Sequence, residues 1–527
     1  MNLIDDCWLP VVRADGSKTL IAPWQIADEE NPVIDLDAPR ADFQGALYQF
    51  LIGLLQTSFA PEDMDEWLEY WHSPPPVDRL KKNFSKFSTA FILDNSDGPA
   101  FMQDFDLPEC IQKPVGALLI ETPGEKTCKD NADHFIKRES VGALCYPCAA
   151  NALFTLQINA PKGGNGHRVG LRGGGPLTSL VLPEGAVTLW HKLWSNVLTE
   201  DTLTEKLVVP EASSLPWLAA TRCSNEGLST FPKDVHLLQQ YWSMPRRIRL
   251  DFKVGNPLNC SICDTNTSQY VESYQTKNNG TNYDGPWVHS LTPYRFDPKK
   301  KNLPLSLKGQ QGGLGYRHWL GLVWQDTEHG EQAAANVRQF NEEICDLIDE
   351  ETAARLWCFG FDVDNMKARC WYEHTLPILH ISKTQQRLFL DNTSRLLDSA
   401  RQGASLLRGQ LKEAWFKRPG DIKGDMSTIV QAFWEQTQGE FYRQLYYLAK
   451  LPEGQRQMPS KVAQQWHMTL KNTVLKLFDE YVLSASPEDI NMKQVVQARN
   501  KLGALLYKSK AFKLLLQIAQ TDKEISQ

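Results

Sequence analysis

The pattern of hydrophobic and polar positions changes after about residue 370. Before that point, short apolar runs such as Gly116–Ile120 and Ser179–Leu182 predict strands, and periodic stretches such as Phe43–Phe59 and Gln332–Leu347 predict helices. Frequent glycine, proline and asparagine residues indicate turns between these short elements. We therefore predict an irregular, mixed α+β domain over residues 1–374.

Long helical periodicity begins after His380. Apolar residues recur there at steps of three and four positions, as a single buried helical stripe requires. Short connections containing proline or glycine divide this part of the chain into four segments, 383–417, 427–450, 460–484 and 489–520. Helices joined by short connections pack antiparallel, so residues 375–527 are predicted to form a C-terminal four-helix bundle.

The two predicted domains carry opposite charge. The whole chain of 527 residues has a net charge of −7, which by itself argues against a general nucleic-acid binder. Residues 1–374 hold 34 basic and 49 acidic side chains, a net charge of −15, whereas residues 375–527 hold 22 and 14, a net charge of +8. A basic module on an acidic body favours a polyanion-binding surface, and a solvated helical face is the alternative.

Composition is typical of a globular chain. Hydrophobic residues make up 42% of the sequence and charged residues 23%, with no low-complexity tract. No uncharged apolar run approaches the roughly 20 residues that a membrane helix needs, and the first residues lack the basic segment of a secretion signal. We therefore expect a soluble, cytoplasmic protein.

Two Cys-x-x-Cys pairs are the strongest chemical signal, Cys145 with Cys148 and Cys260 with Cys263. Eleven cysteines in a large chain without a secretion signal argue against a disulfide framework and favour metal binding by the paired ones. Four thiolates close a tetrahedral zinc site and leave no open position for catalysis. We predict a structural zinc ion, with unligated pairs or a redox-active pair as the alternatives.

A glycine-rich run lies between the cysteine pairs, at residues 160–176. It lacks the Gly-Lys-Ser/Thr ending of a Walker loop, so nucleotide binding is weakly supported. Its residues Gly163, Gly164, Asn165 and Gly166 form a loop slim enough to enter a nucleic-acid minor groove. An ordinary flexible loop is the alternative.

No catalytic constellation emerges from the sequence. Neither a GxSxG nor an HExxH motif occurs, and His374 and His380 lack an acidic partner at metalloprotease spacing. The carboxylates of Asp362 and Asp364 are chemically able to bind magnesium, but surface carboxylates are more often solvated. The sequence therefore offers no candidate catalytic site, but the absence of these motifs does not exclude catalysis.

Taken in order, these motifs resemble the CasA family, the large subunit of the type I-E CRISPR surveillance complex Cascade. The resemblance runs nearly end to end and lies in Met1–Val11, Ala100–Gln103, Gly142–Cys148, Gly170–Pro176 and Cys260–Cys263. It implies a nonenzymatic subunit that recognises a short protospacer-adjacent motif in double-stranded DNA, begins strand separation and helps to recruit a helicase-nuclease. It also implies a large mixed domain followed by a four-helix bundle.

The resemblance assigns three DNA-binding elements. The family's glycine loop falls on residues 163–166, with Asn165 at a position where glycine is common, and its lysine finger falls on Lys277. The family's wedge, a turn that enters the duplex beside the motif, falls on Asn365, Met366 and Lys367, with Met366 in place of a glutamine. An inserted apolar side chain can unstack a base step, so methionine suits this role.

The resemblance also implies contacts with the rest of the complex. Phe135 matches an aromatic residue on the loop that meets the 5′ end of the guide RNA and the backbone subunit; a core phenylalanine is the alternative. The other implied partners are the small-subunit dimer and the subunit that caps the guide RNA. Salt-dependent DNA affinity is expected from basic side chains of the bundle, including Lys471, Lys476, Arg499, Lys501, Lys508 and Lys510. Rival hypotheses are a zinc-stabilised nuclease and a purely architectural subunit.

Overall fold

The computed structural model describes most of the chain, namely residues 1–131, 140–164, 166–185, 187–299, 301–309, 313–348, 352–364, 366–416, 418, 420, 426–483 and 491–525. The chain divides into two compact units. The first unit comprises Met1–Gly309 and Thr327–Thr375, and the second comprises Gln310–Asp326 and Leu376–Gln527. None of the described helices combines the length with the hydropathy that a membrane span requires.

The described residues contain thirteen α-helices and fourteen strands. The α-helices are α1 (Ala41–Ser58), α2 (Met64–His72), α3 (Val77–Phe84), α4 (Glu125–Lys129), α5 (Tyr146–Asn159), α6 (Leu189–Trp194), α7 (Trp319–Val323), α8 (Ala335–Glu342), α9 (Gln386–Trp415), α10 (Ser427–Ala449), α11 (Ser460–Leu483), α12 (Met492–Lys508) and α13 (Lys510–Ile525). The strands are β1 (Leu9–Arg13), β2 (Lys18–Ile21), β3 (Val33–Leu36), β4 (Ile111–Pro114), β5 (Leu144–Cys145), β6 (Thr178–Pro183), β7 (Arg247–Asn259), β8 (Asn266–Lys277), β9 (Tyr294–Arg295), β10 (Leu305–Ser306), β11 (Gln325–Asp326), β12 (Glu331–Gln332), β13 (Ala354–Asp364) and β14 (Lys367–Ile378). Short 3-10 helices occupy Pro23–Ala27, Ser85–Phe91, Val115–Leu118, Pro216–Leu218, Pro232–Asp234, Leu237–Gln240, Tyr316–His318 and Ile344–Asp346.

Helix α1 lies at the centre of the first unit, where the sequence predicted a helix. Nearly all of its residues are buried, because apolar side chains cover every face of the helix. Phe50 makes edge-to-face contacts at centroid distances of 5.5 to 6.0 Å with the rings of Trp8, Phe91, Phe101, Phe154 and Trp242. This aromatic core fixes α5, which carries Cys148, follows directly after Cys145 and leads into the glycine-rich run.

Two antiparallel hairpins position the candidate site. Strands β7 and β8 pair from Arg247 with Lys277 at the base to Asn259 with Asn266 near the tip, and β4 and β5 pair with the other edge of β8. Strand β13 lies between β14 and β6. Its apolar run is almost entirely buried, as expected for a central strand. Strand β6 confirms the prediction made from Ser179–Leu182.

Two predicted elements of the first unit differ from the structure. The run Gly116–Ile120 is not a strand, because Val115–Leu118 forms a 3-10 helix. With three residues per turn, Val115 and Leu118 lie on the same side, and both are fully buried. The helix predicted over Gln332–Leu347 is shorter and consists of α8 followed by a separate 3-10 turn.

The second unit is helical, which confirms the mixed α+β fold with a C-terminal helical bundle. Its first three long helices follow the predicted segments, but the fourth segment is two helices. Ser509 has extended backbone angles, φ −69° and ψ 150°, and ends α12. The carbonyl of Ser509 then accepts the first hydrogen bond of α13, from Lys513. The side chain of Gln402 accepts a hydrogen bond from the amide of Ala511, satisfying a free amide at the start of α13.

Residues 313–326 also belong to the second unit, although the sequence pattern placed them in the first domain. The ring of Tyr316 stacks on Phe441 at 4.4 Å, and its hydroxyl forms a hydrogen bond of 2.7 Å with that of Thr437. Trp319 packs edge-on against Phe389. These aromatic contacts join the segment to the long helices, and no helical periodicity in the sequence signals them.

Candidate functional site

The two cysteine pairs come together in the first unit. The sulfurs of Cys145, Cys148, Cys260 and Cys263 all lie within 4.8 Å of one another, and those of Cys145 and Cys263 are 3.6 Å apart. A tetrahedral ion with metal–sulfur bonds of about 2.3 Å needs sulfurs about 3.8 Å apart. The four thiols therefore fit a single metal ion.

Backbone hydrogen bonds hold the two pairs in place. Cys145 ends β5 and Cys148 lies in the first turn of α5, whereas Cys260 and Cys263 occupy the turn between β7 and β8. The amide of Ser261 donates to the carbonyl of Ala143 at 2.9 Å, and the Ser261 hydroxyl accepts from the amides of Gly142 and Ala143. The hairpin tip is thus attached to the chain just before Cys145.

The thiols of the cluster do not titrate alike. Hydrogen bonds from the thiols of Cys145 and Cys148 lower the pKa of Cys260 to about 6, and the pKa of Cys263 is also lowered, mainly by the Cys145 thiol. The pKa values of Cys145 and Cys148 are raised, because their protons are shared with neighbouring sulfurs. Hydrogen bonding between the sulfurs thus favours the thiolate, the form that binds metal, at Cys260 and Cys263.

The glycine loop is anchored at both ends. The Arg246 guanidinium donates to the carbonyl of Pro161 before the loop, and the amide of Gly163 donates to the carbonyl of His167 across it. Burial, together with the charges of Arg246 and Lys113, lowers the pKa of His167 to about 4. The imidazole is therefore neutral near pH 7 and adds no charge to the loop.

Lys277 lies at the end of β8, beside this loop. The amide of Asn279, two residues further on, donates to the carbonyl of Gly166 at 3.0 Å. The partner of Lys277 in the hairpin register is Arg247, the neighbour of Arg246. The Lys277 side chain is 31% exposed, and its ammonium lies 3.8 Å from the exposed carboxylate of Glu109. Such a solvent-screened ion pair is weak, so a phosphate or a base edge can replace it.

The second half of the glycine-rich run reaches the other hairpin. Gly175 has φ +64°, and a Cβ there would stand 2.5 Å from the carbonyl oxygen of Phe361 on β13. The backbone of the run therefore touches β13 three residues before that strand ends at Asp364. One segment, residues 160–176, thus contacts both the strand end that carries Lys277 and the strand that leads to the predicted wedge.

The predicted wedge lies at the tip of the β13–β14 hairpin. Met366 adopts φ +69°, a left-handed conformation that is costly for a residue other than glycine, and its side chain is 54% exposed. Lys367 begins β14 and is also exposed. A large apolar side chain held in water by a strained turn is a typical feature of a contact surface.

The carboxylates near this tip are bound by an arginine. Arg369 forms a bidentate ion pair with Asp362 at 2.8 and 2.9 Å and lies 3.5 Å from Asp364. The guanidinium therefore neutralises both carboxylates, which argues against a magnesium ion held by Asp362 and Asp364.

Three predicted site residues, Phe135, Asn165 and Asn365, lie outside the described residues. Their expected roles remain predictions.

Half of the basic residues predicted on the bundle form ion pairs within the second unit. These pairs join Lys476 to Glu480, Arg499 to Asp479 and Lys501 to Glu413. Their charge is balanced locally, so they contribute less to the attraction of a polyanion.

The other three basic residues have no carboxylate partner among the described residues, and one of them contacts an exposed tyrosine. The ammonium of Lys471 donates to the Tyr507 hydroxyl at 2.6 Å and lies 5.0 Å from the ring centroid. Lys508 and Lys510 flank the break between α12 and α13, and both are exposed. Among the residues that the structure describes, neither forms an ion pair.

Sequence reasoning missed the residues that support the glycine loop. Ser224 and Asn279 lie far from residues 163–166 in the chain, and their sequence surroundings show no motif. Arg172, within the glycine-rich run, is buried and has no carboxylate partner among the residues that the structure describes. It donates to neutral oxygens, including those of Gln49, Thr178 and Thr292. An arginine within a glycine-rich run was the available sequence signal for this support.

Comparison with known proteins agrees with this architecture. The family model for CRISPR-associated protein Cse1 matches residues 2–477. The fold is similar to that of Thermus thermophilus CasA (Cse1), with a TM-score of 0.67 and 17% identity over 96% of this chain and 99% of that chain. For Thermobifida fusca Cse1 the TM-score is 0.67, with 18% identity over 98% of both chains. A chain of a CRISPR RNA-guided surveillance complex matches with a TM-score of 0.69 and 15% identity over 96% of this chain and 99% of that chain.

Proposed function

Because the chain belongs to the family of the CRISPR-associated protein Cse1, we propose that it is the DNA-recognising large subunit of a type I-E CRISPR surveillance complex. In this role it binds a short protospacer-adjacent motif in double-stranded DNA through the minor groove and begins duplex unwinding, the first step of R-loop formation in antiviral defence. Its partners are the guide RNA 5′ end, the other subunits of the complex and a helicase-nuclease.

One observation carries this proposal, the hydrogen bond between Asn279 and Gly166. It joins the glycine loop to the strand end that bears Lys277, so two elements suited to the minor groove form one surface. The loop is narrow, and the lysine supplies a cation for a groove lined with acceptors. Because the acceptor pattern of the minor groove is degenerate, this pair would accept several motif sequences.

Duplex opening is assigned to the β13–β14 tip. Met366 is exposed on a strained turn beside the exposed Lys367. An apolar side chain inserted between base steps costs a few kcal/mol of stacking energy, and a neighbouring lysine can bind the adjacent phosphate. Gly175 links this hairpin to the segment that carries the glycine loop.

A zinc ion held by Cys145, Cys148, Cys260 and Cys263 would be structural. It would fasten the tip of the β7–β8 hairpin to the start of α5 and leave no coordination position open. Phe135, ten residues before Cys145, is proposed to contact the guide RNA 5′ end and the backbone subunit, on a loop that the zinc site would anchor.

The second unit is proposed to add affinity that does not depend on sequence. Lys471, Lys508 and Lys510 are the basic residues best placed for it, since Lys476, Arg499 and Lys501 have acidic partners. Contacts between lysines and phosphates release counterions and are weakened by salt.

A nonenzymatic role is favoured over a zinc-stabilised nuclease. Arg369 neutralises Asp362 and Asp364, the carboxylate pair that sequence reasoning considered for magnesium. The zinc site is saturated by its four sulfurs. The proposed chemistry is therefore binding and strand separation, with DNA cleavage left to the helicase-nuclease.

The test is a binding assay of the reconstituted complex against a DNA library with randomised flanking motifs. We expect the wild-type complex to select a small set of motifs and the complex with Lys277→Ala to lose this selection. A complex that selects motifs equally well without this chain would favour the architectural alternative. Cleavage of DNA by the purified chain with magnesium, without the helicase-nuclease, would favour the nuclease.

A further inference from the structure

We propose that Ser224 is a positioning residue that holds the glycine loop at the correct distance from Lys277, and that its hydrogen bonds set how sharply motifs are distinguished. This inference rests on the proposed function of the same site. It assigns a role to a serine that touches neither DNA nor the cysteine cluster.

Ser224 bridges the two DNA-binding elements. Its hydroxyl accepts a hydrogen bond of 2.8 Å from Nε of Arg168, which follows the glycine loop by two residues, and donates one of 2.6 Å to the carbonyl of Gly280. Its carbonyl accepts from Nη2 of Arg168 at 3.2 Å, and its amide donates to the carbonyl of Asn279 at 3.0 Å. Every polar group of Ser224 is thus used to join Arg168 to the chain beyond Lys277.

The far side of this bridge is rigid. Asn279 has φ +61°, and both of its backbone polar groups are bonded, to Gly166 and to Ser224. A Cβ at Gly280 would stand only 2.1 Å from the carbonyl oxygen of Pro245, so the chain there is packed directly on the segment before β7. The glycine loop therefore takes its position from the Ser224 bridge and from the Asn279 hydrogen bond.

Small displacements matter at this site. The minor groove is about 6 Å wide, and hydrogen bonds weaken steeply when their geometry departs from ideal. A loop and a lysine that share one groove must keep a fixed separation. Ser224 is only 2% exposed, so it cannot contact DNA itself, and any effect on motif selection has to pass through the loop.

The test uses the reconstituted complex and measures affinity for two duplexes, one with the preferred motif and one without it. We expect Ser224→Ala to weaken binding to the motif duplex about ten-fold, the effect of one lost buried hydrogen-bonding group, and to leave nonspecific binding within about two-fold. Ser224→Thr, which keeps the hydroxyl, should retain most of the selectivity. Ser229→Ala, a serine of the same segment with partners Asn282 and Asp284, is the matched control.

A double-variant cycle separates positioning from general destabilisation. Arg168→Ala removes the donor to the Ser224 hydroxyl and carbonyl. Ser224→Ala combined with Arg168→Ala should cost less than the sum of the two single changes, because both remove the hydrogen bond between Nε of Arg168 and the Ser224 hydroxyl. Thermal unfolding of each variant is measured in parallel. Equal losses on both duplexes, or strictly additive losses in the cycle, would overturn the proposal and leave Ser224 a structural residue.

Lys277→Ala in the same assay distinguishes a failure of the positioning role of Ser224 from a failure of the proposed function. If Lys277→Ala abolishes selectivity while Ser224→Ala preserves it, the positioning role is refuted and the proposed function stands. If Lys277→Ala preserves selectivity, the proposed function fails, and the role of Ser224, which requires Lys277, fails with it.

Discussion

The amide of Asn279 donates a hydrogen bond of 3.0 Å to the carbonyl oxygen of Gly166. Gly166 has φ +79°, and a Cβ there would lie 2.6 Å from Oδ1 of Asn279. Gly166 and Asn279, more than a hundred positions apart in the chain, are therefore packed directly against each other. A side chain at this position would be strained by the left-handed backbone and would have to displace the amide end of Asn279.

We expect Gly166→Ala to weaken binding to a motif-bearing duplex on the order of ten-fold, through the close contact with Asn279 and the left-handed backbone. Asn279→Gly removes the side chain that blocks the new Cβ and keeps the backbone amide, so the double variant should recover part of the affinity. Affinities of the four complexes, measured with one duplex, check this. A double variant as weak as Gly166→Ala would mean that the left-handed backbone or DNA, not the Asn279 side chain, excludes the Cβ.

Lys277→Ala should reduce affinity for motif duplexes about ten-fold or more, since a specific groove contact contributes about 1–3 kcal/mol, and should change nonspecific affinity little. Lys253→Ala is the matched control, because Lys253 lies on the same hairpin and pairs with Glu272. Filter binding or interferometry at fixed salt gives both numbers. Similar losses for the two lysines would contradict a specific role for Lys277.

Met366→Gly distinguishes the effect of the Met366 side chain from the effect of the backbone conformation of its turn. Glycine is relaxed at φ +69°, so this variant should leave the hairpin as stable as before or more so. We nevertheless expect Met366→Gly to slow R-loop formation on a paired target, as alanine at Met366 and Lys367 should. Neither change should have much effect on a target already unpaired beside the motif, because no stacking is left to disrupt there. Stopped-flow fluorescence follows both reactions. Equal slowing on both targets would place the wedge elsewhere.

The cysteine cluster should bind about one zinc ion per chain, measured by elemental analysis of the purified protein. Cys145→Ser or Cys260→Ser should remove it, lower the thermal midpoint and impair assembly of the complex, because closed zinc sites contribute folding free energy. Cys358→Ser, at a buried cysteine outside the cluster, controls for the loss of a thiol. Metal-free protein in which both cluster variants are stable would refute the zinc site.

The bundle lysines should separate into two groups. Changing Lys508 and Lys510 to glutamate should weaken binding to all duplexes. The slope of the logarithm of affinity against the logarithm of salt concentration should fall by about one for each phosphate that the variant no longer neutralises. Reversing Lys476 and Lys501, which have acidic partners, should do less to DNA affinity. A titration of affinity against salt concentration gives the slopes. Equal effects of the two pairs would show that local ion pairs do not decide which lysines bind.

Periodicity in the sequence located α1, β6 and the long helices, because each buries a regular apolar stripe or run. It failed at Gly116–Ile120, where a short apolar run satisfies a 3-10 turn as well as a strand, and at Ser509, where one stripe continues across a break between two helices. The spacing of hydrophobic residues indicates which face of an element is buried. It does not indicate the residue at which the backbone hydrogen bonds of that element end.

The candidate site was only partly accessible to sequence reasoning. The cysteine pairs are recognisable in the sequence because cysteines at this spacing are metal ligands. Since a zinc ion needs four sulfurs, the two pairs were predicted to lie together in the fold. The support of the glycine loop by Ser224 and Asn279 involves backbone groups and a single hydroxyl, which leave no pattern in composition or spacing. Contacts of this kind become visible only once the chain is folded.

The placement of residues 313–326 in the second unit has a consequence for the order in which the protein is made. Tyr316 leaves the ribosome 121 residues before Thr437, its hydroxyl partner, and the end of the first unit, Thr327–Thr375, is synthesised between them. The nascent chain must therefore carry Tyr316 and Trp319 unburied while the first unit is being completed. A chain ending at residue 375 would expose both rings permanently, so neither a premature stop nor a single proteolytic cut can release the two units as intact fragments.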